Sequence, residues 1–298
     1  MKVWLLTKKG HGRSVHNLRF KETAKKMGIE CYVVNPEDLD IIVTKKGKSS
    51  IYYQGEYIKL PDCLIPRMGS GTSYFAHVII RHLEHLGVFV LNSNESIATS
   101  KDKLSTLQLL KLNNLPIPKT QLAKFPINMK VVEKEFSFPI IVKTVSGSYG
   151  KGVFLCETKI KFKDTMDLIE ISKDPNTNII IQEFVKSSKG RDIRVMVVGG
   201  RPCGAMLRQA KRGKFKANYS AGGRVSNFIL NKDVEWLAVE SARVLGLDMA
   251  GVDILFDGDK YAICEVNSAP GFEGFEKATQ IDYPKVVFDY IRVRLGIK

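Results

Sequence analysis

The segment AGVDILFDGDKYAICEVN, residues 250–267, constrains the fold more than any other part of this sequence. Two apolar runs flank an Asp-Gly turn signal, which predicts a β-hairpin whose strands each carry a carboxylate among residues suited to burial. Asp253 closes the buried-looking AGVD, and Glu265 and Asn267 stand two apart on YAICEVN, so the latter two point from one face of their strand. Carboxylates and an amide oxygen are hard donors that suit Mg²⁺, which keeps several waters and completes its shell with substrate phosphates. Pairing with lysine or arginine is the competing reading. Facing side alternates with each residue. A regular two-residue Asp257-Gly258 turn would therefore put Asp253 and Glu265 on opposite faces, and a shared ion requires an odd-length loop or a bulge that restores the parity. Asn267-Ser268-Ala269-Pro270-Gly271 then leaves the strand in a sharp loop, placing these groups at a cleft.

A second polar site is predicted upstream. FPIIVKTV and GVFLCET read as strands around Ser146-Gly147-Ser148-Tyr149-Gly150-Lys151-Gly152, where small residues allow backbone N–H groups to close on phosphate oxygens and Lys151 adds charge. The pattern is not a P-loop, because Gly152 follows Lys151 where Ser or Thr should stand and a strand follows rather than a helix. A flexible hairpin turn is the plainer alternative. Lys143 interrupts the apolar strand before the loop, and its ammonium calls either for an anionic partner or for an escape to water at the strand edge.

The rest of the chain alternates strand and helix signals. KVWLLTK, a helical stretch from about Ser14 to Met27, and ECYVVN form a strand–helix–strand start, the crossover that parallel strands require. YFAHVIIRHLEHLG has helical spacing and stops at Gly87, and VFVLN follows as a strand, so a first unit ends near Asn92. SKDKLSTLQLLKLNN predicts a helix from Ser100 to Asn114. The last third holds a hairpin with a Gly199-Gly200 turn, a polar loop KRGKFKANYSAGG, the helix DVEWLAVESARVLG, the acidic hairpin and a closing helix. Boundaries at 1–92, 93–187 and 188–298 follow.

Basic residues exceed acidic ones by 46 − 31 = 15, which favours anionic partners. The excess is spread along the chain without aromatic interleaving, so direct nucleic-acid recognition is not expected. The five cysteines lie far apart with no Cys-x-x-Cys, which argues against a disulfide framework or a zinc site. No apolar run is long enough for a membrane helix, and the start MKVWLLTKKG reads as a strand, so a soluble cytoplasmic protein without membrane contact is expected.

Lys143 in its strand, the glycine hairpin, IIQEFV, DIRVMVVGG, VDIL and EVNSAPGFEG, in this order and spacing, resemble the ATP-grasp fold. Through LIPRMGSG, LNS and KDKLSTLQLL the likeness extends over nearly the whole chain to the RimK-like glutamate ligases, of the type that modifies a ribosomal protein. The resemblance implies an N-terminal parallel-sheet α/β domain followed by a two-subdomain ATP-grasp fold, that is, an α/β unit joined to α+β units. It implies ATP as substrate, with Mg²⁺ or Mn²⁺ as cofactor, in two ions. Lys103 and Lys143 then contact the nucleotide, Gly147, Ser148, Gly150, Lys151 and Gly152 its phosphates, Glu183 and Phe184 the adenine, and Asp192 the ribose. Asp253, Glu265 and Asn267 match metal ligands, and Arg208 the arginine that neutralises the acyl phosphate. Lys216, where the family has Arg, and Asn218 keep nucleotide or metal contacts; Ala221 replaces a residue that is often basic. Arg67 is a candidate for a substrate carboxylate.

The activity so implied is ATP-dependent formation of an amide through an acyl phosphate, adding L-glutamate to the C-terminal carboxylate of a protein, a peptide or a small acceptor. A ribosomal protein is a candidate acceptor, and a homo-oligomer is expected. The alternatives are ligation of another amino acid or a cofactor precursor, and a nucleotide-binding regulatory or ribosome-associated protein without catalysis. All five histidines fall in the first unit, so the scheme uses no histidine base.

Overall fold

The computed structural model describes residues 1–43, 51–144, 152–172, 178–213, 215, 217, 219 and 222–297. In the first unit, β1 (Lys2–Leu6), α1 (Val15–Lys26) and β2 (Glu30–Val34) are followed by a small antiparallel sheet of β3 (Leu39–Ile41), β4 (Ile51–Tyr53) and β5 (Glu56–Tyr57). Then come β6 (Cys63–Pro66), α2 (Tyr74–His85) and β7 (Phe89–Val90). The main sheet is parallel, in the order β2-β1-β6-β7. Ser14 and Ser73 cap α1 and α2, each accepting from a backbone N–H three residues on, and Gly87 leaves α2 at φ +83°.

Alternation along β1 divides the core. Trp4 and Leu6 pack with Ile79, Ile80 and Leu83 of α2, whereas Val3 and Leu5 join Phe20 and a cluster reaching Phe272, Phe275 and Phe288 near the C-terminus. Each such ring or aliphatic chain, fully buried, contributes roughly 1.5–3 kcal/mol. Buried Asn92 pins the first unit to the last one, donating to the carbonyls of Met249 (2.7 Å) and Ser268 (2.8 Å) and accepting from the Met249 N–H (2.8 Å).

The central unit contains α3 (Asn94–Lys101), α4 (Lys103–Leu112), β8 (Thr120–Ala123), α5 (Met129–Glu135), β9 (Ile140–Thr144), β10 (Val153–Cys156), α6 (Lys159–Ser172) and β11 (Ile179–Glu183). Its strands form an antiparallel sheet in the order β10-β9-β11-β8. The single helix predicted from Ser100 is two helices: Asp102 ends α3 in extended backbone and caps α4, its Oδ1 accepting from Leu104 and Ser105 N–H at 2.9 and 3.0 Å. An aspartate offers that cap better than Ser100 within a run already helical.

The last unit has β12 (Arg191–Val198), β13 (Arg201–Gln209), β14 (Arg224–Phe228), α7 (Lys232–Val244), β15 (Met249–Asp257), β16 (Lys260–Asn267), α8 (Glu273–Thr279) and α9 (Tyr283–Leu295). Its five-stranded antiparallel sheet runs β14-β13-β12-β15-β16. Gly199 and Gly200 both take positive φ in the tight β12–β13 turn, as predicted. The acidic hairpin turns at Gly258-Asp259, with Asp257 opposite Lys260, so its loop has an even length. Between Ile254/Ile263 and Asp253/Glu265 the register shifts by the one extra residue Cys264, and this bulge puts Glu265 directly opposite Asp253 and Asn267 opposite Gly251. Parity is thus restored by the bulge and not by loop length. All five cysteines are free thiols. No helix among the described residues is long and apolar enough to cross a membrane.

Candidate active site

A cavity of about 520 Å³ opens where the three units meet. Its floor is the last sheet, where register brings four charges onto one face: Asp192 and Arg194 stand two apart on β12, with Arg208 of β13 opposite Asp192 and Asp253 of β15 opposite Arg194. Arg194 grips Asp253 with both forks, Nε–Oδ1 2.6 Å and Nη2–Oδ2 2.7 Å. Arg208 grips Asp192 through Nε (2.6 Å) and Nη2 (2.9 Å) and also reaches Asp253 Oδ2 at 2.9 Å. Arg208 and Asp253 are each only 4% exposed. Burial pushes Asp253 up, but the two guanidinium groups outweigh it and hold the carboxyl below the ordinary carboxylate range. Burial raises Asp192 against the pull of Arg208, and Arg208 itself is kept charged by both aspartates despite its burial. Two charges of each sign cancel, and the Nη1 groups of both arginines are left without a partner among the described residues.

Glu265 lies beside this cluster and forms no ion pair or hydrogen bond among the described residues. Asn267 turns its amide N–H toward the Gly251 carbonyl at 3.4 Å, which leaves its oxygen to the cavity. Among the described residues no group of three or more His, Cys, Asp or Glu surrounds one point. The donor set nevertheless fits a hard cation that keeps waters and substrate oxygens, since Glu265 and Asn267 offer an uncompensated carboxylate and an amide oxygen. Asp253 faces the same position with both oxygens engaged by arginine.

Lys143, on β9, forms one side of the cavity. It donates to Gln182 Oε1 at 2.6 Å, and Gln182 in turn donates to Thr120 Oγ1 at 2.8 Å. Lys143 Nζ also lies 3.8 Å from the Cys264 sulfur; neither the amide nor the thiol is an anionic partner, so the ammonium charge remains available to a ligand. Lys103, Glu183 and Phe184 also line the cavity; the Glu183 carboxylate accepts the Lys119 N–H at 2.9 Å. Gly152, at φ +70°, enters β10. Gly147, Ser148, Gly150, Lys151, Lys216, Asn218 and Ala221 lie outside the described residues. From the first unit Arg67 reaches in, donating to the Pro270 carbonyl at 2.9 Å and lying over the rings of Phe20 and Phe272.

Arg194 and His16 are among the cavity residues that were not foreseen. Arg194 could have been found, because it shares a strand face with Asp192 in DIR. His16 could not: it belongs to the first unit by sequence, yet it lines the cavity 4.7 Å from the Phe272 ring. Burial first, and then the charge of Arg67, lower its pKa from 6.5 to about 4, so the ring is neutral.

Two antiparallel sheets that clasp a polar cleft, with a parallel α/β unit at its mouth, are the architecture of the ATP-grasp enzymes. Residues 100–291 match the RimK-like ATP-grasp domain and residues 1–97 the RimK pre-ATP-grasp domain. A probable alpha-L-glutamate ligase of Vibrio vulnificus (strain YJ016) is 35% identical over 275 residues, 92% of this chain and 90% of the relative. One of the same name from Legionella pneumophila (strain Corby) is 33% identical over 292 residues, 98% and 95% of the two chains. Among solved structures, the ATP-grasp ligase PsnB complexed with a phosphomimetic variant of its minimal precursor, Mg and ADP superposes with a TM-score of 0.76 at 20% identity, covering 98% of each chain. The chain belongs to the RimK-like ATP-grasp family and is an ATP-dependent carboxylate–amine ligase.

Proposed function

We propose that this enzyme adds L-glutamate to the C-terminal carboxylate of a protein, peptide or small acceptor. The observation that carries this reading is the shared cavity. Uncompensated Lys143, hard donors Glu265 and Asn267, and the charge-neutral arginine cluster all line it, with Arg67 entering from the first unit. The names of the Vibrio and Legionella relatives support glutamate, and the precursor bound to PsnB supports a peptide acceptor.

Glu183 and Phe184 flank the adenine, and Lys103 and Lys143 hold the phosphates. The acceptor carboxylate attacks the γ-phosphorus, ADP leaves, and an acyl phosphate forms. The glutamate amine then attacks the acyl carbon, and inorganic phosphate departs. Arg208 presents Nη1 to the oxyanion, a donor oriented in advance because Asp192 and Asp253 hold the rest of the guanidinium. Asp192 is so engaged with Arg208 that its role is to orient that arginine rather than to bind ribose. Mg²⁺, which accompanies ADP in the PsnB structure, would be held by Glu265 and Asn267 and supplies neutralisation of phosphate charge. The first unit closes the cleft and limits hydrolysis of the acyl phosphate.

Mass spectrometry of acceptor peptides incubated with ATP, Mg²⁺ and single amino acids tests the proposal. Addition of glutamyl residues at the peptide C-terminus is expected. Transfer of a different amino acid, or ADP release with no glutamyl product on any acceptor, would replace it.

A further inference from the structure

At the mouth of the cleft two lysines from different elements sit together with no carboxylate to balance them. Lys8 follows β1 in the loop to α1, and Lys101 ends α3. The Lys8 ammonium rests over Gly71, where a methyl group would collide with it. Lys101 Nζ donates to the carbonyl of the next residue, Thr72, at 2.5 Å. Burial, and then the charge of Lys8, lower the proton affinity of Lys101. Neither lysine forms an ion pair among the described residues. Of the acidic residues that line the cavity, Glu183 ends β11 of the central unit, and Asp192, Asp253, Glu265 and Glu273 belong to the last unit.

The location follows from topology. In the order β2-β1-β6-β7 the connections diverge between β1 and β6, and the crevice beyond the C-terminal ends of strands at such a switch point is where open parallel sheets take ligands. Lys8 sits in the loop after β1, and Gly71 and Thr72 sit in the loop after β6. Two like charges held together against a backbone carbonyl repel each other, and an anion placed between them relieves that repulsion.

We propose that Lys8 and Lys101 form a subsite for a substrate carboxylate other than the one being activated, a proposal that rests on the ligase reading above. That carboxylate belongs either to the side chain of the incoming amino acid or to an acidic residue beside the acceptor's reacting terminus.

Calorimetric titration of the full chain holding AMPPNP and Mg²⁺ separates these sources. The probes are L-glutamate, L-glutamine, and peptides ending in Glu-Glu or Gln-Gln. In the wild type the acidic member of at least one pair binds more tightly. Lys8→Met and Lys101→Met each weaken that acidic probe about tenfold, the loss of one charge-assisted contact, and leave the neutral probe and AMPPNP unchanged. An effect on free glutamate assigns the carboxylate to the amino acid, and an effect on the Glu-Glu peptide assigns it to the acceptor. A wild type without acidic preference, variants that retain the full preference, or a loss of AMPPNP affinity would overturn the proposal. Lys8 is exposed, so its variant is not expected to disturb folding. An acid-selective wild type that transfers no glutamyl residue would refute the glutamate-transfer reading and leave the subsite standing.

Discussion

The two sheets that face the cleft handle charge in opposite ways. The five-stranded sheet buries four charges and cancels them internally, Arg194 and Arg208 against Asp192 and Asp253. The four-stranded sheet presents Lys143, whose partner Gln182 is neutral and 2% exposed. A buried pair loses stability when one member is removed, because the other charge is stranded. A lysine against an amide leaves no charge stranded, only the amide oxygen of Gln182. One wall is therefore built for rigidity and pre-orientation, and the other holds charge in reserve for a ligand.

The largest effect expected from this contrast is on Asp253. Asp253→Ala leaves two buried guanidinium groups short of a counterion and should cost about 3–5 kcal/mol in urea unfolding. A loss below about 1 kcal/mol would mean that water compensates the cluster and that the contrast is false. The acid limb adds a check: the stabilisation from Asp253, with its lowered pKa, is present above the unfolded carboxylate range and disappears as pH falls through the folded value.

Next comes Arg208→Lys, which keeps the charge and loses the fork. Ligation should fall on the order of 10²-fold while ATP affinity is nearly unchanged, because the charge that Nη1 meets develops only after nucleotide is bound. Phosphate release measured beside nucleotide titration separates the two; equal losses in both would move Arg208 to the nucleotide site.

Lys143→Met sharpens the comparison from the other wall. ATP affinity should weaken about tenfold, with an unfolding loss of about 1 kcal/mol from the Gln182 Oε1 left without its donor, well short of the loss at Asp253. If stability fell and ATP affinity did not, Lys143 would be a structural residue like those of the opposite sheet.

The smallest effect concerns His16 at the first unit's edge of the cleft. Its folded pKa near 4 lies below the ordinary 6.5, so below pH 6.5 the unfolded chain takes up a proton that the folded chain refuses. Stability should therefore decline from pH 6.5 toward pH 4, by about 1 kcal/mol at pH 5.5. In His16→Gln this part of the slope should vanish; an unchanged slope would place the titration elsewhere.

Much of this was legible in the chain. Alternation in KVWLL, the caps Ser14 and Ser73, Gly87 and the Gly199-Gly200 turn are local signals, because hydrogen-bond geometry and φ preferences act within a few residues. The carboxylates of the acidic hairpin signalled a polar site for the same reason: burying them among AGV, ILF and AIC demands compensation, whatever supplies it. What supplies it was not local. The partners of Asp253 come from β12 and β13, some 45 to 59 residues away in sequence and adjacent only through sheet order. The Cys264 bulge that turns Glu265 toward Asp253 leaves no mark in the residue pattern. His16 enters the cleft only because α1 packs on α9 and meets Phe272. Sequence by itself determined most of the helices and strands and the existence of a charged cleft, since propensity and burial cost are properties of short segments. Tertiary structure alone decided which charges cancel and which remain for a ligand, since pairing depends on distances between strands that no local signal encodes.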